Sequence, residues 1–442
     1  MSDNKKILKP SILPGFMELL PSDQILFNNM MDTIRRNYEK YGFIPIDTPL
    51  IEKSEVLLAK GGGETEKQIY RFTKGDTDMS LRFDLTVPLA RYAAQHFSEL
   101  TFPFRRYHIG KVYRGERNQK GRFREFYQCD IDIIGNGKLS IINDAEIPCV
   151  IYSTFKDLDF GSFTIRINNR KVLNGFFEYL NADNKAEVLR VIDKLDKIGK
   201  EAVCEELLKL GLCKETVEKI INFIKIKGSS SEIIKSLKDL NIDNKMFAEG
   251  IDELEKVVYY MKCFDVPEEY FIIDLTIARG LDYYTGTVYE TVLNDYPSIG
   301  SVCSGGRYDN LAEYYTLQKL PGVGISIGLT RLFYQLREAK IIGQSQASTP
   351  AQVLVIPMDD NTVDYSIKVC STLRNNSIVS QLYCEEGKIG KKFAYADKLG
   401  IPNVIVIGTD EFTNSKVTLK DMKKGEQYTI SIEDAIQKIK QS

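Results

Sequence analysis

The chain has 442 residues, of which 43% are hydrophobic and 27% charged, and its formal net charge is −2 at pH 7. This length predicts two or three domains with a substantial hydrophobic core. A net charge near zero excludes a basic field over the whole protein, so contact with a nucleic acid would depend on local patches. No apolar run suggests a signal peptide or a membrane span, which predicts a protein without membrane contact.

Cysteine and histidine usage predicts the compartment and the metal content. The eight cysteines are scattered without a Cys-x-x-Cys pair, which is typical of reduced, mostly buried thiols in the cytoplasm. His96 and His108 are the only histidines, which argues against a structural or catalytic zinc site. We therefore predict a cytoplasmic protein without zinc.

The N-terminal part predicts a helix followed by a strand. Residues 22–40 carry apolar side chains near helical spacing after the capping candidates Ser22 and Asp23. Residues 41–51 predict a strand that is closed by Thr48 and Pro49. Because proline cannot donate to a sheet, Pro49 marks either a simple edge strand or an interface, and these residues alone do not decide between the two.

Two acceptor side chains precede the next predicted helix. Asp84 and Thr86 close a predicted strand, and Pro88 occupies the favoured first position of a helix. Side chains at these alternate positions could hold an ammonium group. They could equally form an ordinary helix cap.

Residues 105–132 predict two strands joined by an arginine-rich loop at 117–124. Because side chains alternate along a strand, four residues of the second strand share one face: Phe126, Gln128, Asp130 and Asp132. With Arg114 from the first strand, this face offers a cation, an aromatic ring, an amide and a carboxylate. Such a set suits a ligand that carries a phosphate, an aromatic base and a polar amino acid.

A solvated surface hairpin is the alternative interpretation of these charges. Two features favour a binding face. The cations are mostly arginine, which binds phosphate in a fixed fork. Gln128 and Asp132 also lie among apolar neighbours, where polar side chains are costly unless they have a partner.

The remaining segments predict further elements in chain order. Residues 138–157 predict a helix, 163–167 a strand, and Arg170 the start of another helix. Residues 184–260 are rich in lysine and glutamate and predict a helical insertion. Strands return at 271–275, residues 307–315 predict the start of a helix, and 321–332 predict a strand running into a helix.

The C-terminal part predicts a separate small α/β domain. Residues 343–351 have the composition of a linker. Beyond them, the continuous apolar segments 353–356 and 404–407 alternate with helical spans, which is typical of a mostly parallel core. Residues 417–430 predict a hairpin and 433–440 a closing helix.

Several of these segments resemble one known family. Residues 105–132 resemble motif 2 of the class II aminoacyl-tRNA synthetases, centred on Arg114 and Glu116. Residues 278–290 resemble a signature confined to histidyl-tRNA synthetases, 301–309 resemble its partner motif, and 321–332 resemble motif 3. The chain therefore resembles the histidyl-tRNA synthetase family over most of its length.

The resemblance implies a fold and its domain boundaries. The fold class is α/β, with an α+β class II catalytic domain on an antiparallel sheet, formed by residues 1–183 and 261–342. Residues 184–260 would be a helical insertion that packs over the tRNA acceptor stem, although an ordinary helical subdomain remains the alternative. A linker at 343–351 would lead to an anticodon-binding domain at 352–442. The segment around Pro49 would be motif 1, which builds a homodimer interface.

The resemblance also implies a reaction and its substrates. The chain would ligate L-histidine to tRNA(His) through a histidyl-adenylate, with release of AMP and pyrophosphate, and would bind ATP as its Mg²⁺ complex. In the first step the histidine carboxylate attacks the α-phosphorus of ATP. Because a carboxylate is already ionised, the step needs positioning and charge neutralisation rather than a general base.

Site residues follow from the resemblance, position by position. Arg114 and Arg279 would be catalytic, contacting the α-phosphate and the substrate carboxylate. The histidine-binding set is Asp84, Leu85, Thr86, Arg114, Gln128, Asp132, Arg279, Tyr283 and Tyr284. The ATP-binding set is Arg114, Glu116, Arg122, Phe126 and Arg331. The residues that would meet the tRNA acceptor end are Arg117 and Gln119.

The resemblance assigns roles within these sets. Asp84 and Thr86 would bind the α-amino group. Asp132 would accept from an imidazole N–H, and the hydroxyl of Tyr283 or Tyr284 would complement the ring.

On the nucleotide side, adenine would lie between Phe126 and Arg331. Glu116 would contact the adenine amino group, and Arg122 would meet the terminal phosphate.

Two related functions compete with this interpretation. The synthetase-like regulatory subunit of ATP phosphoribosyltransferase generally lacks the anticodon domain and an intact motif around Arg279, and both are present here. A synthetase-like signalling module within a larger kinase is the second alternative, but nothing in the sequence extends beyond synthetase length.

Overall fold

The computed structural model describes residues 8–59, 64–116, 121–182, 184–192, 194–277, 283–343 and 347–441. The chain forms two compact units, one comprising Met1–Met17 with Met31–Ile342 and the other Glu18–Met30 with Gly343–Ser442.

The strands of the first unit form two sheets. In chain order they are β1 (Ile44–Pro45), β2 (Ile51–Lys53), β3 (Arg71–Lys74), β4 (Thr77–Leu81), β5 (Phe104–Tyr113), β6 (Glu125–Ile134), β7 (Phe163–Asn169), β8 (Phe271–Ile273), β9 (Thr287–Leu293), β10 (Ser301–Tyr308) and β11 (Gly322–Ile327). The larger sheet has the order β1-β5-β6-β11-β10-β9-β7-β8, and β2, β4 and β3 form a small separate sheet. Only the outer pairs β1–β5 and β7–β8 of the larger sheet are parallel. The prediction of an antiparallel sheet at the centre of a mixed α/β fold is confirmed.

Helices connect these strands. Those that begin before residue 343 are α1 (Pro21–Lys40), α2 (Ser54–Leu57), α3 (Glu64–Gln68), α4 (Thr86–Gln95), α5 (Ile142–Leu158), α6 (Arg170–Tyr179), α7 (Lys185–Ile192), α8 (Leu195–Lys209), α9 (Lys214–Ile224), α10 (Ser230–Asp239), α11 (Lys245–Cys263) and α12 (Leu329–Glu338).

The β5–β6 hairpin sets the geometry of the larger sheet's binding face. Phe104 pairs with Ile134, and the register continues without a shift to Tyr113 and Glu125. Alternation places Ile131 and Ile133 on the opposite face, where both are fully buried. The polar residues of β6 therefore share the other face, as the two-residue period predicts.

Helices α7 to α11 follow one another, and the described residues between them contain no strand. Asn244 caps α11 by accepting from the backbone N–H of Phe247, and Ser229 with Glu232 forms a capping box at α10. Backbones of α6 and α11 approach closely at Gly175 and Gly250, where an added Cβ would overlap the other helix. This contact joins the helical segment to the sheet domain.

The second unit contains a five-stranded sheet. Its elements are β12 (Val353–Pro357), α13 (Val363–Asn375), β13 (Ser380–Leu382), α14 (Ile389–Leu399), β14 (Asn403–Ile407), α15 (Thr409–Thr413), β15 (Val417–Asp421), β16 (Gln427–Ile430) and α16 (Ile432–Gln441). The order is β13-β12-β14-β15-β16. Two of the four pairings are parallel and two antiparallel, so the prediction of a mostly parallel core is right only for the strands up to β14.

Some predicted elements differ from those observed. The strand predicted at 41–51 is interrupted, because β1 ends at Pro45 and β2 begins at Ile51. The helix predicted from Pro88 begins two residues earlier, at Thr86. A proline is tolerated there because the first-turn N–H groups of a helix have no partner inside the helix.

Two other helix starts are also displaced. Residue Arg307 belongs to β10, where it pairs with Val323, and only Leu311–Tyr314 forms a short 3₁₀ turn. The helix predicted from residue 138 begins at Ile142, after the N–H groups of Gly135 and Gly137 donate to the segment before β11.

All eight cysteines are free. Cys129, Cys149, Cys303 and Cys370 are buried, whereas three others are exposed. The prediction of mostly buried thiols is therefore correct for only half of them.

Candidate active site

A cavity of about 680 Å³ opens on the polar face of the larger sheet. Strands β6, β10 and β11 supply its floor. Most of the described residues in the predicted site line it: Asp84, Thr86, Arg114, Glu116, Arg122, Phe126, Gln128, Asp132, Tyr283, Tyr284 and Arg331. Residues predicted from distant segments of the sequence thus lie around one cavity.

Arg114 follows directly after β5 and is held between two aromatic rings. Its Nε donates to the carbonyl oxygen of Phe83 at 3.2 Å. Its guanidinium carbon lies 4.4 Å from the ring centroid of Phe83 and 5.1 Å from that of Phe126. Burial lowers the pKa of Arg114 from its usual value, but a guanidinium keeps its charge in proteins. The cavity therefore contains a fixed cation beside the predicted adenine-stacking ring.

Asp84 caps a helix and also lines the cavity. Its Oδ1 accepts from the backbone N–H of Val87 at 3.0 Å, so it caps the start of α4. It also lines the cavity with only 6% of its surface exposed, and burial raises its pKa. One carboxyl group therefore both caps the helix and faces the site.

Among the described residues of the predicted histidine-binding set, Leu85 is the one that does not line the cavity. It is fully buried in the core and is not among the cavity-lining residues. Its carbonyl oxygen accepts from Nη2 of Arg106 at 3.3 Å. Any contribution of Leu85 to the site would therefore be indirect, through the backbone and Arg106.

Asp132 faces the cavity with both oxygens already engaged. Tyr308 donates its hydroxyl to Oδ1 at 2.7 Å, and Nη2 of Arg106 lies 2.5 Å from Oδ2. Burial raises the pKa of Asp132 to about 6, although Arg106 opposes the shift. Each carboxylate oxygen has two lone pairs, so Asp132 retains acceptor capacity for a ligand.

Tyr283 and Tyr284 close the same end of the cavity. Their ring centroids are 4.9 Å apart at an edge-on angle of 67°, and the ring of Tyr283 contacts that of Tyr308 at 5.9 Å. Burial raises the pKa of both hydroxyls well above the usual value. Both therefore remain neutral near pH 7 and can donate or accept a hydrogen bond.

The other end of the cavity has a more open set of charges. Nη1 of Arg122 lies 3.0 Å from Oε2 of Glu116, so the two side chains predicted to contact different parts of ATP contact each other. Nη2 of Arg331 donates to the carbonyl oxygen of Ile299 at 3.2 Å. ATP would have to separate Arg122 from Glu116 or bind beside the pair.

The cavity is also lined by residues that were not among the predicted site residues, including the polar side chains of Asp130, Glu290, Tyr308 and Ser326. The alternation of β6 already placed Asp130 on the binding face. Ser326 accepts from Nε2 of Gln128 at 2.6 Å. No signal in the sequence indicated that Tyr308 and Ser326 face β6, because their strands are distant along the chain.

Three predicted residues lie outside the described parts of the chain: Arg117, Gln119 and Arg279. Their roles stay predictions.

Two further observations concern metals and membranes. In the described parts of the chain, His, Cys, Asp and Glu side chains do not come together in groups of three that could hold a metal ion. Every described helix is too short or too polar to cross a lipid bilayer.

Comparisons with known proteins agree with this geometry. A family profile described as histidyl-tRNA synthetase matches residues 15–332, and one described as anticodon binding domain matches residues 352–442. A histidine–tRNA ligase from Clostridium tetani is 72% identical over 436 residues, covering 99% of both chains. The crystal structure of histidyl-tRNA synthetase from Nostoc sp. PCC 7120 superimposes with a TM-score of 0.91 at 44% identity, covering 98% of this chain and 100% of that one.

A more distant structure shares only the fold. An ATP phosphoribosyltransferase regulatory subunit/histidyl-tRNA synthetase from Bacillus halodurans C has a TM-score of 0.74 at 19% identity, covering 88% of this chain and 97% of that one. The description of that structure names both a regulatory subunit and a synthetase, so it does not distinguish between these two activities. The family profile and the relative at 72% identity do, and the predicted resemblance is confirmed. The chain belongs to the histidyl-tRNA synthetase family.

Proposed function

We propose that this chain activates L-histidine with ATP and transfers it to tRNA(His), releasing AMP and pyrophosphate. The observation that carries the proposal is the cavity itself, where a buried acid, a stacked guanidinium and an open aromatic ring lie on one sheet face. The name shared by the relatives, histidine–tRNA ligase, supports the same reaction.

Arg114 would act on the reacting centre. The histidine carboxylate attacks the α-phosphorus of ATP, a P–O bond forms, and pyrophosphate leaves with the electron pair of the broken bond. A cation held between Phe83 and Phe126 needs little reorganisation as negative charge shifts to the leaving group. Arg279 would be the second cation, on the strength of the family resemblance.

The buried end of the cavity would select the amino acid. Asp84 and Thr86 would receive the α-amino group, and Gln128, Asp132, Tyr283 and Tyr284 would surround the side chain. Since these polar groups are buried, an apolar side chain of similar shape would leave them unpaired. Such sites reject the wrong ligand by about 10⁴-fold or more.

The open end would bind ATP as its Mg²⁺ complex. Adenine would lie between Phe126 and Arg331, with Glu116 at its amino group and Arg122 at the terminal phosphate. Mg²⁺ binds through one or two carboxylates together with phosphates and waters. Glu290 lines the cavity and fits that limited protein contribution, and a zinc site is not part of the proposal.

The tRNA would contact both units. Arg117 and Gln119 would meet the acceptor end, and the helical segment at 184–260 would pack over the acceptor stem. Residues 352–442 would bind the anticodon, which the match to an anticodon-binding profile supports.

The segment from β1 to β2 would bind a second copy of the chain around Pro49. Ile44, Leu50 and Ile51 are 51%, 42% and 46% exposed, and β1 lies at the end of the larger sheet. Apolar side chains at a free edge favour a covered surface. We infer a homodimer in the cytoplasm, where thiols such as the exposed Cys213 stay reduced.

The proposed reaction is tested by ATP–pyrophosphate exchange with each of the twenty amino acids. Exchange should depend on histidine, and tRNA(His) should then become charged. Equal stimulation by other amino acids would refute the pocket assignment. The variant Arg279→Ala should lose activation while it keeps the fold, and an active variant would overturn the role of Arg279.

A further inference from the structure

Asp130 is a buried acid of the cavity to which the proposed mechanism gives no role. It lies on β6 between Gln128 and Asp132, all on the same face, and it lines the cavity with 2% of its surface exposed. Its Oδ1 has no hydrogen-bond partner among the described residues. A buried carboxyl oxygen without a partner is costly, so a missing ligand group is a physical explanation for it.

The residues around Asp130 leave it short of positive charge. The cross-strand partner of Asp130 on β5 is His108, and the partner on β11 is Ser326. Arg106 pairs with Asp132, the neighbouring acid, while Nε and Nη1 of Arg106 have no partner among the described residues. Arg114 interacts with Asp130 as well as with Asp84, and Asp84 is a third acid close to Asp130. Three carboxyl groups therefore share two guanidinium groups in this part of the floor.

His108 does not supply a further cation. Burial, reinforced by Arg106 and Arg82, lowers the pKa of His108 to about 3, so its ring is neutral near pH 7. Apart from Arg106, Arg114 and His108, the titratable groups that interact with Asp130 are acids, neutral hydroxyls and buried thiols: Asp84, Asp132, Tyr38, Tyr284, Cys129 and Cys303. The described surroundings thus offer a site where a cationic ligand group would be stabilised.

The spacing of the two acids suits a particular ligand group. Side chains two positions apart on an antiparallel strand are separated by about 6.8 Å. A protonated imidazole has two N–H donors that point to opposite sides of a small ring. With hydrogen bonds of about 2.9 Å on each side and the ring between them, the two acceptor oxygens must lie slightly further apart than the two Cα atoms. One ring therefore fits between two such carboxylates when their side chains tilt away from each other.

We propose that Asp130 is a second acid of the histidine side-chain subsite, and that Asp130 and Asp132 together hold the substrate ring as an imidazolium. The proposal rests on the proposed function, since it takes histidine to be the substrate. Asp132 would accept from one ring N–H and Asp130 from the other. No bond to the ring is made or broken, and the proton stays on the ring.

The hydrogen-bond network around Asp130 favours this arrangement. Nε2 of Gln128 donates to Ser326, and the Ser326 hydroxyl hydrogen-bonds with Asp130, which opposes the rise in its pKa. Burial nonetheless raises the pKa of Asp130 to about 7 without a ligand, because Arg106 offsets the burial only in part. A bound imidazolium would lower it, so Asp130 would be ionised in the complex.

The test compares histidine with its 1,2,4-triazole analogue, whose ring has nearly the same shape but is not protonated near neutral pH. The unchanged chain should use histidine in ATP–pyrophosphate exchange much more efficiently than the analogue. In Asp130→Asn, the kcat/KM for histidine should fall by about 10- to 100-fold, the loss expected for one charge-assisted hydrogen bond. The kcat/KM for the analogue should change far less, and the KM for ATP should stay the same.

Asp144→Asn is the matched control. Asp144 is fully buried, its pKa is raised to about 6 by burial, and it pairs with Arg307 outside the cavity lining. This variant should be less stable but should keep the discrimination between histidine and the analogue. Asp130→Glu, which restores the charge, should recover part of the histidine preference.

Several results would overturn the proposal. One is a parallel loss for both substrates in Asp130→Asn, which would indicate a structural role. Another is equal use of histidine and the analogue by the unchanged chain, a measurement that needs no variant to fold. If Asp130→Asn kept the kcat/KM for histidine of the original chain, this proposal alone would be refuted. Absence of histidine-dependent exchange in the unchanged chain would refute the proposed function and this proposal together.

Discussion

Arg106 and Asp132 form an ion pair beneath the cavity, with Nη2 of Arg106 2.5 Å from Oδ2 of Asp132 and neither side chain more than 4% exposed. The two residues are also direct cross-strand partners in the β5–β6 hairpin. A buried pair of this kind fixes the position of the carboxylate, and the cost of breaking it exceeds its net contribution to stability.

Arg106→Met should destabilise the first unit by about 3–5 kcal/mol, because it leaves Asp132 buried without its cation. The loss should shrink as the pH falls through about 6, where Asp132 becomes protonated and no longer needs the cation. Chemical denaturation of both proteins at several pH values measures the difference.

Arg71→Met is the control for that variant. Arg71 pairs with Asp78 at 2.5 Å, but the two side chains are 56% and 38% exposed. Solvent screens this pair, so the variant should lose far less stability than Arg106→Met. Equal losses in the two variants would show that the buried pair has no special importance.

Gly324→Ala should damage the histidine end of the cavity selectively. A Cβ at Gly324 would overlap Oδ1 of Asp132 and the carbonyl oxygen of Ile131. We expect the KM for histidine to rise by about 10-fold or more, because the displaced carboxylate of Asp132 is no longer in position to bind the ligand. The KM for ATP should change little.

Gly390→Ala provides the comparison. Gly390 lies in α14 with no atom within 4 Å of the added Cβ, so exchange should be unchanged. A normal histidine KM in Gly324→Ala would mean that the position of Asp132 does not matter for binding.

Arg114→Lys should reduce ATP–pyrophosphate exchange by about 100-fold or more while the fold is retained. Lysine keeps the charge, but its ammonium is not planar and cannot lie flat between Phe83 and Phe126 as the guanidinium does. The effect should appear in kcat, because the charge acts on the reacting phosphate. An unchanged kcat would remove Arg114 from the chemical step.

Arg122→Ala should weaken ATP binding alone. Arg122 lies at the open end of the cavity and pairs with Glu116, far less buried than the acids at the histidine end. The KM for ATP should rise by about 10-fold, the loss of one charge-assisted contact, whereas the KM for histidine should stay constant. A rise in the histidine KM would contradict the division of the cavity into two ends.

The sequence predicted the polar face of the sheet well. Alternation along β6 is a local property, so Phe126, Gln128 and Asp132 could be placed on one side without a structure. The motifs around Arg114 and Arg331 could likewise be recognised from short segments, and the structure brings both to the cavity.

Long-range partners could not be predicted in the same way. Strand β11 lies between β6, which carries Asp132, and β10, which carries Tyr308. Tyr308 reaches across β11 to Asp132 at Gly324, where a side chain would collide with the Asp132 carboxylate. That order is a property of the whole sheet. The hairpin register could have suggested Arg106 as the partner of Asp132, but it depends on the loop between the strands, which sequence alone does not fix.

The most direct test of the account is a crystal structure of the protein with a non-hydrolysable histidyl-adenylate analogue. We expect an imidazole nitrogen within about 3.2 Å of a carboxylate oxygen of Asp132, adenine stacked on Phe126, and Arg114 beside the phosphate. A ligand bound elsewhere, or one whose ring turns away from Asp132, would contradict it.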